Sequence, residues 1–68
     1  MPVQWVYQAG TNWVPFDPQA NASIESIWRS GTAAQVYVAS MQGVVLVNGP
    51  GLYAQRCYTR IPIARTGS

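Results

Sequence analysis

The apolar residues of the chain follow a helical spacing in one segment, between positions 17 and 31. The residues that would form its apolar face are Ala20, Ile24, Ile27 and Trp28. Asp17 is a suitable N-cap, because its side-chain oxygen can accept a backbone N–H of the first turn. Pro18 fits the first helical position and Gly31 fits the residue after the helix. The pattern predicts an α-helix over about residues 18–30.

Six other segments are rich in strand-forming residues, and turn-forming residues separate them. The predicted strands cover about residues 3–7, 13–16, 34–39, 44–47, 52–57 and 60–64. The run Asn48-Gly49-Pro50-Gly51 is the strongest turn signal. Proline cannot donate to a sheet ladder, so Pro15 should lie at an edge or strand end and Pro62 at an edge or bulge.

The element order predicts an α+β domain with one helix and a mostly antiparallel sheet of about six strands. The helix should bury its apolar stripe on the concave side of the sheet, with Ile24, Ile27 and Trp28 as filling residues. The 68 residues form a single domain, and residues 66–68 are expected to be a loose tail.

Few charges are present, and they limit the chemistry. The acids are Asp17 and Glu25, the bases are Arg29, Arg56, Arg60 and Arg65, and the net charge is +2. This density is too low for a general nucleic-acid binder. The chain has no histidine and one cysteine, Cys57, so neither a usual zinc site nor an internal disulfide is expected. With so few candidate acids, bases and nucleophiles, the chain is not expected to be an enzyme and needs no cofactor.

The sequence shows no membrane segment and no secretory signal. No stretch approaches the ~20 apolar residues that a membrane helix needs. The N-terminus lacks a positive region followed by an apolar run. A single cysteine is compatible with a reducing compartment.

The ordered motifs of the chain resemble those of the WWE domain, which is named for two tryptophans and a glutamate. The first motif is Trp5-x-Tyr7, followed by Gly10-Thr11-Asn12-Trp13-Val14-Pro15-Phe16-Asp17. Asn21-x-x-Ile24-Glu25 lies in the predicted helix, and Thr59-Arg60-Ile61-Pro62-Ile63-Ala64-Arg65 closes the chain in the manner of Deltex-type members. The resemblance implies a strongly curved half-barrel wrapped around one helix, and an intracellular protein of the nucleus or cytoplasm.

The resemblance also implies a ligand, because WWE modules of ubiquitin ligases and PARP enzymes bind ADP-ribose or iso-ADP-ribose units of poly(ADP-ribose). Tyr7 and Gln55 match ligand-contacting positions and are expected to meet at one mouth of the half-barrel, with Trp13 also a ligand candidate. The position of the family's phosphate-binding arginine is occupied by Ile61 in this chain. Arg60 or Arg56 would therefore have to bind the phosphates. The WWE domains that bind ADP-ribose have a further tyrosine at the position that corresponds to Val44 in this chain.

The remaining family residues are expected to be structural. Glu25 should bond to the backbone, to Arg29 or to Arg65. Trp5 should pack in the core or at its rim, and Trp28 should pack in the core. The alternative function is a protein–protein contact module of a ubiquitin-ligase or ADP-ribosylation system that binds no nucleotide. That alternative predicts an exposed apolar patch on the outer face of the sheet.

Overall fold

The computed structural model describes residues 3–67, which fold as one helix and six strands. The strands are β1 (Gln4–Ala9), β2 (Asn12–Pro15), β3 (Ala33–Val38), β4 (Gly43–Asn48), β5 (Tyr53–Arg56) and β6 (Thr59–Thr66), and the helix is α1 (Pro18–Ser30). A short 3₁₀ turn, Ala39–Met41, joins β3 to β4. All strand pairs are antiparallel, in the order β2-β1-β6-β5-β4-β3, which confirms the predicted α+β class and six-stranded sheet.

The ends of α1 confirm the predicted helix signals. The carboxylate of Asp17 accepts the backbone N–H of Ala20 at 3.2 Å, and Pro18 occupies the first turn. Gly31 ends the helix in the left-handed region, with φ 66° and ψ 32°. Its N–H donates to the carbonyl of Trp28 at 3.1 Å, so a carbonyl of the last turn is satisfied.

The sheet has one buried face and one open face because side chains alternate along each strand. The buried face packs on α1 and holds the core residues Trp5, Val36, Val38, Val45, Val47, Ala54 and Ile63, together with Phe16, Ala20 and Ile24. Ile27 packs against this cluster from the helix and is partly buried. The opposite face, here called the outer face, has no element over it among residues 3–67.

The sheet order confirms the expectation for Pro15 and corrects that for Pro62, which lies in the central strand β6 and at neither an edge nor a bulge. Pro15 ends the edge strand β2, as its missing N–H predicts. β6 pairs with β5 over its first half and with β1 from Ile63 onward. The N–H of Ile63 donates to Leu52 at 3.1 Å, so the nitrogen of Pro62 points to the other side, where β1 has no paired residue. The missing donor is therefore harmless inside a central strand.

Two expectations about shape and termini are wrong. The sheet is neither strongly curled nor closed into the expected half-barrel, and β2 and β3 remain separate edges. A physical reason is that β2 has only four residues and ends in a proline, which prevents it from continuing the ladder. Thr66 is not part of a loose tail, because it ends β6 and its hydroxyl donates to the carbonyl of Gln4 at 2.6 Å. Ser68 lies outside the described residues.

Gly49 fits the β4–β5 turn against the end of the helix. Its N–H donates to the carbonyl of Thr32 at 3.0 Å. A Cβ at this position would lie 2.9 Å from the Cα of Trp28 and 3.0 Å from the carbonyl oxygen of Ile27. The close approach of two backbones explains why this buried turn position has no side chain.

Candidate functional site

Glu25 is the centre of a hydrogen-bonded cluster on the helix side of the sheet. Its Oε1 accepts from the indole N–H of Trp5 at 2.8 Å and from Nε of Arg65 at 3.0 Å. Its Oε2 accepts from Nη2 of Arg65 at 2.9 Å and from Nε of Arg29 at 3.1 Å. Glu25 thus ties α1 to β1 and β6, and the predicted pairing with Arg29 and Arg65 is confirmed.

The surroundings of Glu25 keep it ionised. The hydrogen bonds from Arg65 are the largest cause, and with those from Trp5 and Arg29 they lower the pKa of Glu25 from 4.5 to about 2, against the opposing effect of burial. The same pairing raises the pKa of Arg65. A carboxylate that already accepts four hydrogen bonds from three side chains has little capacity for proton transfer or for a further ligand.

Trp5 and Trp28 differ in burial although both are tryptophans of this cluster. Trp5 is fully buried in the core. Trp28 is 37% exposed, so the prediction that it fills the core is wrong. Its ring packs edge-on to Trp5, with centroids 5.9 Å apart, and the guanidinium of Arg65 lies 4.6 Å from its centroid. Trp28 therefore covers the rim of the core, because Ile24 already occupies the helix position that points directly at the sheet.

Tyr7 also lies on the helix side, where both its ring and its hydroxyl contact neighbouring side chains. Its ring centroid is 4.8 Å from that of Phe16, and its hydroxyl lies 3.2 Å from the hydroxyl of Ser40. Ser40 was not among the residues that the sequence singled out, and no motif marks it. Between residues 3 and 67 the structure holds no pocket, at Tyr7 or elsewhere.

The other candidate ligand residues lie elsewhere. Gln55 pairs with Arg60 across β5 and β6, on the outer face, and its amide donates to the carbonyl of Cys57 at 3.2 Å. The guanidinium of Arg60 lies 4.7 Å from the ring centroid of Tyr53 on the same face. Arg56 alternates to the opposite side of β5 from Gln55. Trp13 is exposed on β2, on the outer face but beyond β1 and β6.

The structure does not bring Tyr7 and Gln55 together, and the mouth expected between them is absent. Tyr7 pairs with Ile63 of the buried face, whereas Gln55 pairs with Arg60 of the outer face. Residues directly opposite in an antiparallel pair share a face, so the two side chains lie on opposite faces of the sheet. They are also separated by β6 and offset by three residues along it. The expected mouth requires a strongly curled sheet, in which Tyr7 and Gln55 would both line the opening of the half-barrel.

The outer face carries an exposed apolar patch that the sequence analysis did not locate. It consists of Tyr37 on β3 and of Val44 and Leu46 on β4, which are 61%, 53% and 39% exposed. Tyr37 and Val44 are directly paired, and Leu46 pairs with Gln55. The unbroken run Val44-Val45-Leu46-Val47 was the available signal, because a strand with one solvated face normally alternates with polar residues.

One end of this patch is basic. The row that crosses β4, β5 and β6 runs from Leu46 through Gln55 to Arg60. Arg60 is exposed and has no carboxylate partner within the described part of the chain. The outer face therefore offers apolar contact area beside an unpaired positive charge.

No three histidine, cysteine, aspartate or glutamate side chains of residues 3–67 lie close enough to hold a metal ion. In the same range, no helix is long and apolar enough to cross a bilayer. Comparison of the chain with protein-family models, with characterised proteins and with solved structures finds no match.

Proposed function

We propose that this domain is a non-catalytic recognition module that contacts a protein partner through the outer face of its sheet. The observation that carries the proposal is the exposed patch of Tyr37, Val44 and Leu46, on a face that no element of residues 3–67 covers. An exposed cluster of large apolar residues is a common mark of a contact surface. It is also the feature that separates the protein-contact alternative from the nucleotide alternative.

The chemistry of the face indicates which partner it would accept. Its apolar part would bury an aliphatic or aromatic side chain, and Arg60 would pair with a carboxylate next to that side chain. The preferred partner is therefore an extended protein segment with an apolar residue beside an acidic one. The net charge of +2 favours the approach of such a segment.

The nucleotide function is less well supported by the same geometry. ADP-ribose needs a flat slot for adenine and donors for its phosphates in one place. Tyr7 faces the helix side, Gln55 and Arg60 lie on the other face, and Arg65 is held by Glu25. Membership of the WWE family remains a proposal that rests on the ordered motifs and on the matching order of two strands, one helix and four strands.

Selection of displayed peptides against the natural chain tests the proposal. Binders should be rich in apolar–acidic pairs, should lose at least about tenfold in affinity on Leu46→Asp or Arg60→Glu, and should keep their affinity on Gln8→Asp, a control at an exposed position of β1. Binders insensitive to Leu46→Asp would contradict it. Calorimetry with ADP-ribose and iso-ADP-ribose is the parallel arm: submillimolar binding that Tyr7→Ala or Gln55→Ala abolishes would restore the nucleotide function.

A further inference from the structure

The two edges of the sheet are protected to different degrees. β2 is a four-residue edge that ends in Pro15. β3 is a six-residue edge that has no charged residue and no proline, and these residues commonly prevent an edge strand from pairing with another chain. An unprotected edge of this kind is a template for one more strand.

The register shows which backbone groups of β3 are open. The bond from the N–H of Gly49 to the carbonyl of Thr32 fixes the ladder, so Ala34, Val36 and Val38 exchange hydrogen bonds with β4. The alternate residues of β3, which are Ala33, Gln35 and Tyr37, direct their N–H and C=O groups away from β4. No side-chain or loop hydrogen bond to these groups is found among residues 3–67.

The open stretch has a defined end. The next residue of this alternation is Ala39, whose N–H donates to the second carboxylate oxygen of Asp17 at 3.3 Å. The N-cap of α1 therefore closes the edge after Tyr37. A partner strand has room for the pairing positions 33, 35 and 37 and for no more at that end.

We infer that this edge pairs with the same edge of a second copy of the chain, in antiparallel orientation, to form a twofold dimer with a continuous sheet. A twofold axis at Gln35 places Gln35 opposite its own copy and Ala33 opposite the Tyr37 of the other chain. All three open positions then become hydrogen-bonded pairs, which gives about six backbone hydrogen bonds.

The side chains fit this arrangement on both faces. On the outer face of the dimer, the large ring of Tyr37 of one chain lies over the small methyl group of Ala33 of the other chain, so the two side chains do not collide. Neither β3 nor β4 carries a charge that would repel its copy. The exposed positions of α1 include several short side chains, Ala22, Ser23, Ser26 and Ser30, and short side chains leave more room beside a helix than long ones.

The dimer does not depend on the proposed peptide contact, although it would place the two outer-face patches side by side. Sedimentation equilibrium of the natural chain, in a series up to roughly 1 mM, measures it without any ligand. The expected result is a mass that rises from one chain to two. A mass of one chain at every concentration would overturn the inference and would leave the peptide-binding proposal standing.

Charged substitutions at Gln35 test the proposed register between the two β3 strands of the dimer. Gln35→Glu places two carboxylates directly opposite each other, and Gln35→Lys places two ammonium groups there, so each variant should dimerise at least about tenfold more weakly than the natural chain. An equimolar mixture of the two should recover the association. Gln35→Thr, which keeps the backbone donor and adds no charge, should dimerise like the natural chain. Dimerisation of Gln35→Glu at full strength would overturn the β3 interface.

A second readout needs no substitution. In the dimer, the amides of Gln35 and Tyr37 become hydrogen-bonded, so their hydrogen exchange should slow as the protein concentration rises. The amides of β2, at the other edge, serve as the control and should not respond. Exchange at Gln35 and Tyr37 that is independent of concentration, in a sample that does dimerise, would also overturn the proposed edge.

Discussion

The two faces of β4 differ in burial although both are lined by large aliphatic side chains. Val45 and Val47 point towards α1 and are buried, whereas Val44 and Leu46 alternate with them and are exposed. On the helix side the polar groups are also satisfied: within residues 3–67 no buried side-chain nitrogen or oxygen lacks a partner. On the outer side, an apolar patch is exposed, and the guanidinium of Arg60 lies over the ring of Tyr53 but has no carboxylate partner within residues 3–67.

The hydrophobicity of a residue alone does not show whether its side chain is buried in the core or exposed on the outer face. The four consecutive apolar residues of β4 are chemically alike, and only the alternation of the strand assigns them to the core or to solvent. The helix side holds the fold together, and the outer side is exposed to solvent. Substitutions on the two sides should therefore affect different measurements.

The largest expected effect is on the helix side. Ile24→Ala should lower the free energy of unfolding by about 2–5 kcal/mol, because it leaves a cavity in a fully buried position. Val44→Ala, on the outer side, should change it by less than about 0.5 kcal/mol. Urea unfolding of both variants measures the difference. Equal effects would show that the outer face is also part of the packed core.

A similar contrast is expected between two glycines of β4 and its turn. Gly49→Ala should destabilise the domain by roughly 1–3 kcal/mol, because the added Cβ would lie 2.9 Å from the backbone of Trp28. Gly43→Ala is the control, since its Cβ would meet Arg56 at an ordinary 3.6 Å. Thermal unfolding followed by circular dichroism compares the two. Tolerance of Gly49→Ala would mean that the helix end is not held against this turn.

Glu25 should give stability that depends on pH. Its pKa is about 2 in the folded protein and 4.5 ordinarily, so its contribution is full above about pH 4.5 and is lost as the pH falls towards 2. Glu25→Ala should cost roughly 1–3 kcal/mol at pH 7, because the buried indole N–H of Trp5 loses its acceptor. Glu25→Gln can keep that acceptor but should lose the pH-dependent part. Identical pH profiles for the natural chain and Glu25→Gln would contradict this account.

The smallest effect belongs to Arg29. Its side chain is 70% exposed, and it pairs with Glu25 one helical turn away. Arg29→Ala should therefore change the free energy of unfolding by only a few tenths of a kcal/mol, and less at high salt. Urea unfolding at low and high salt tests this. A loss of more than about 1 kcal/mol in the free energy of unfolding would show that Arg29 is a structural residue.

Local signals in the sequence were sufficient for the elements of the fold. The Asp17 cap, the proline after it and the Gly31 end specify α1 within the chain itself, and each is a short-range effect. The six strands and their mostly antiparallel orientation follow from segments separated by turn residues, whereas the pairing of β1 with β6 was not predicted. The curl of the sheet was not predictable in this way, because it depends on how far the edges β2 and β3 continue.

The candidate site was predicted less well, for a related reason. Glu25 with its arginines was predictable because Arg29 is one turn away and Arg65 belongs to the closing motif. The separation of Tyr7 from Gln55 depends on the register of β1 with β6 and of β6 with β5, and no local pattern fixes two registers at once. The exposure of Trp28 likewise depends on the rotation of α1 against the sheet.

The most direct test of the β3 edge, and of the nucleotide alternative, is the amide NMR spectrum of the natural chain, recorded over a dilution series and again with ADP-ribose added. We expect concentration-dependent shifts at Ala33, Gln35 and Tyr37 from the edge-to-edge dimer, and no shift at Tyr7 when ADP-ribose is added. A β3 strand whose shifts do not change on dilution would contradict the dimer, and shifts at Tyr7 and Gln55 on addition of ADP-ribose would favour the nucleotide function.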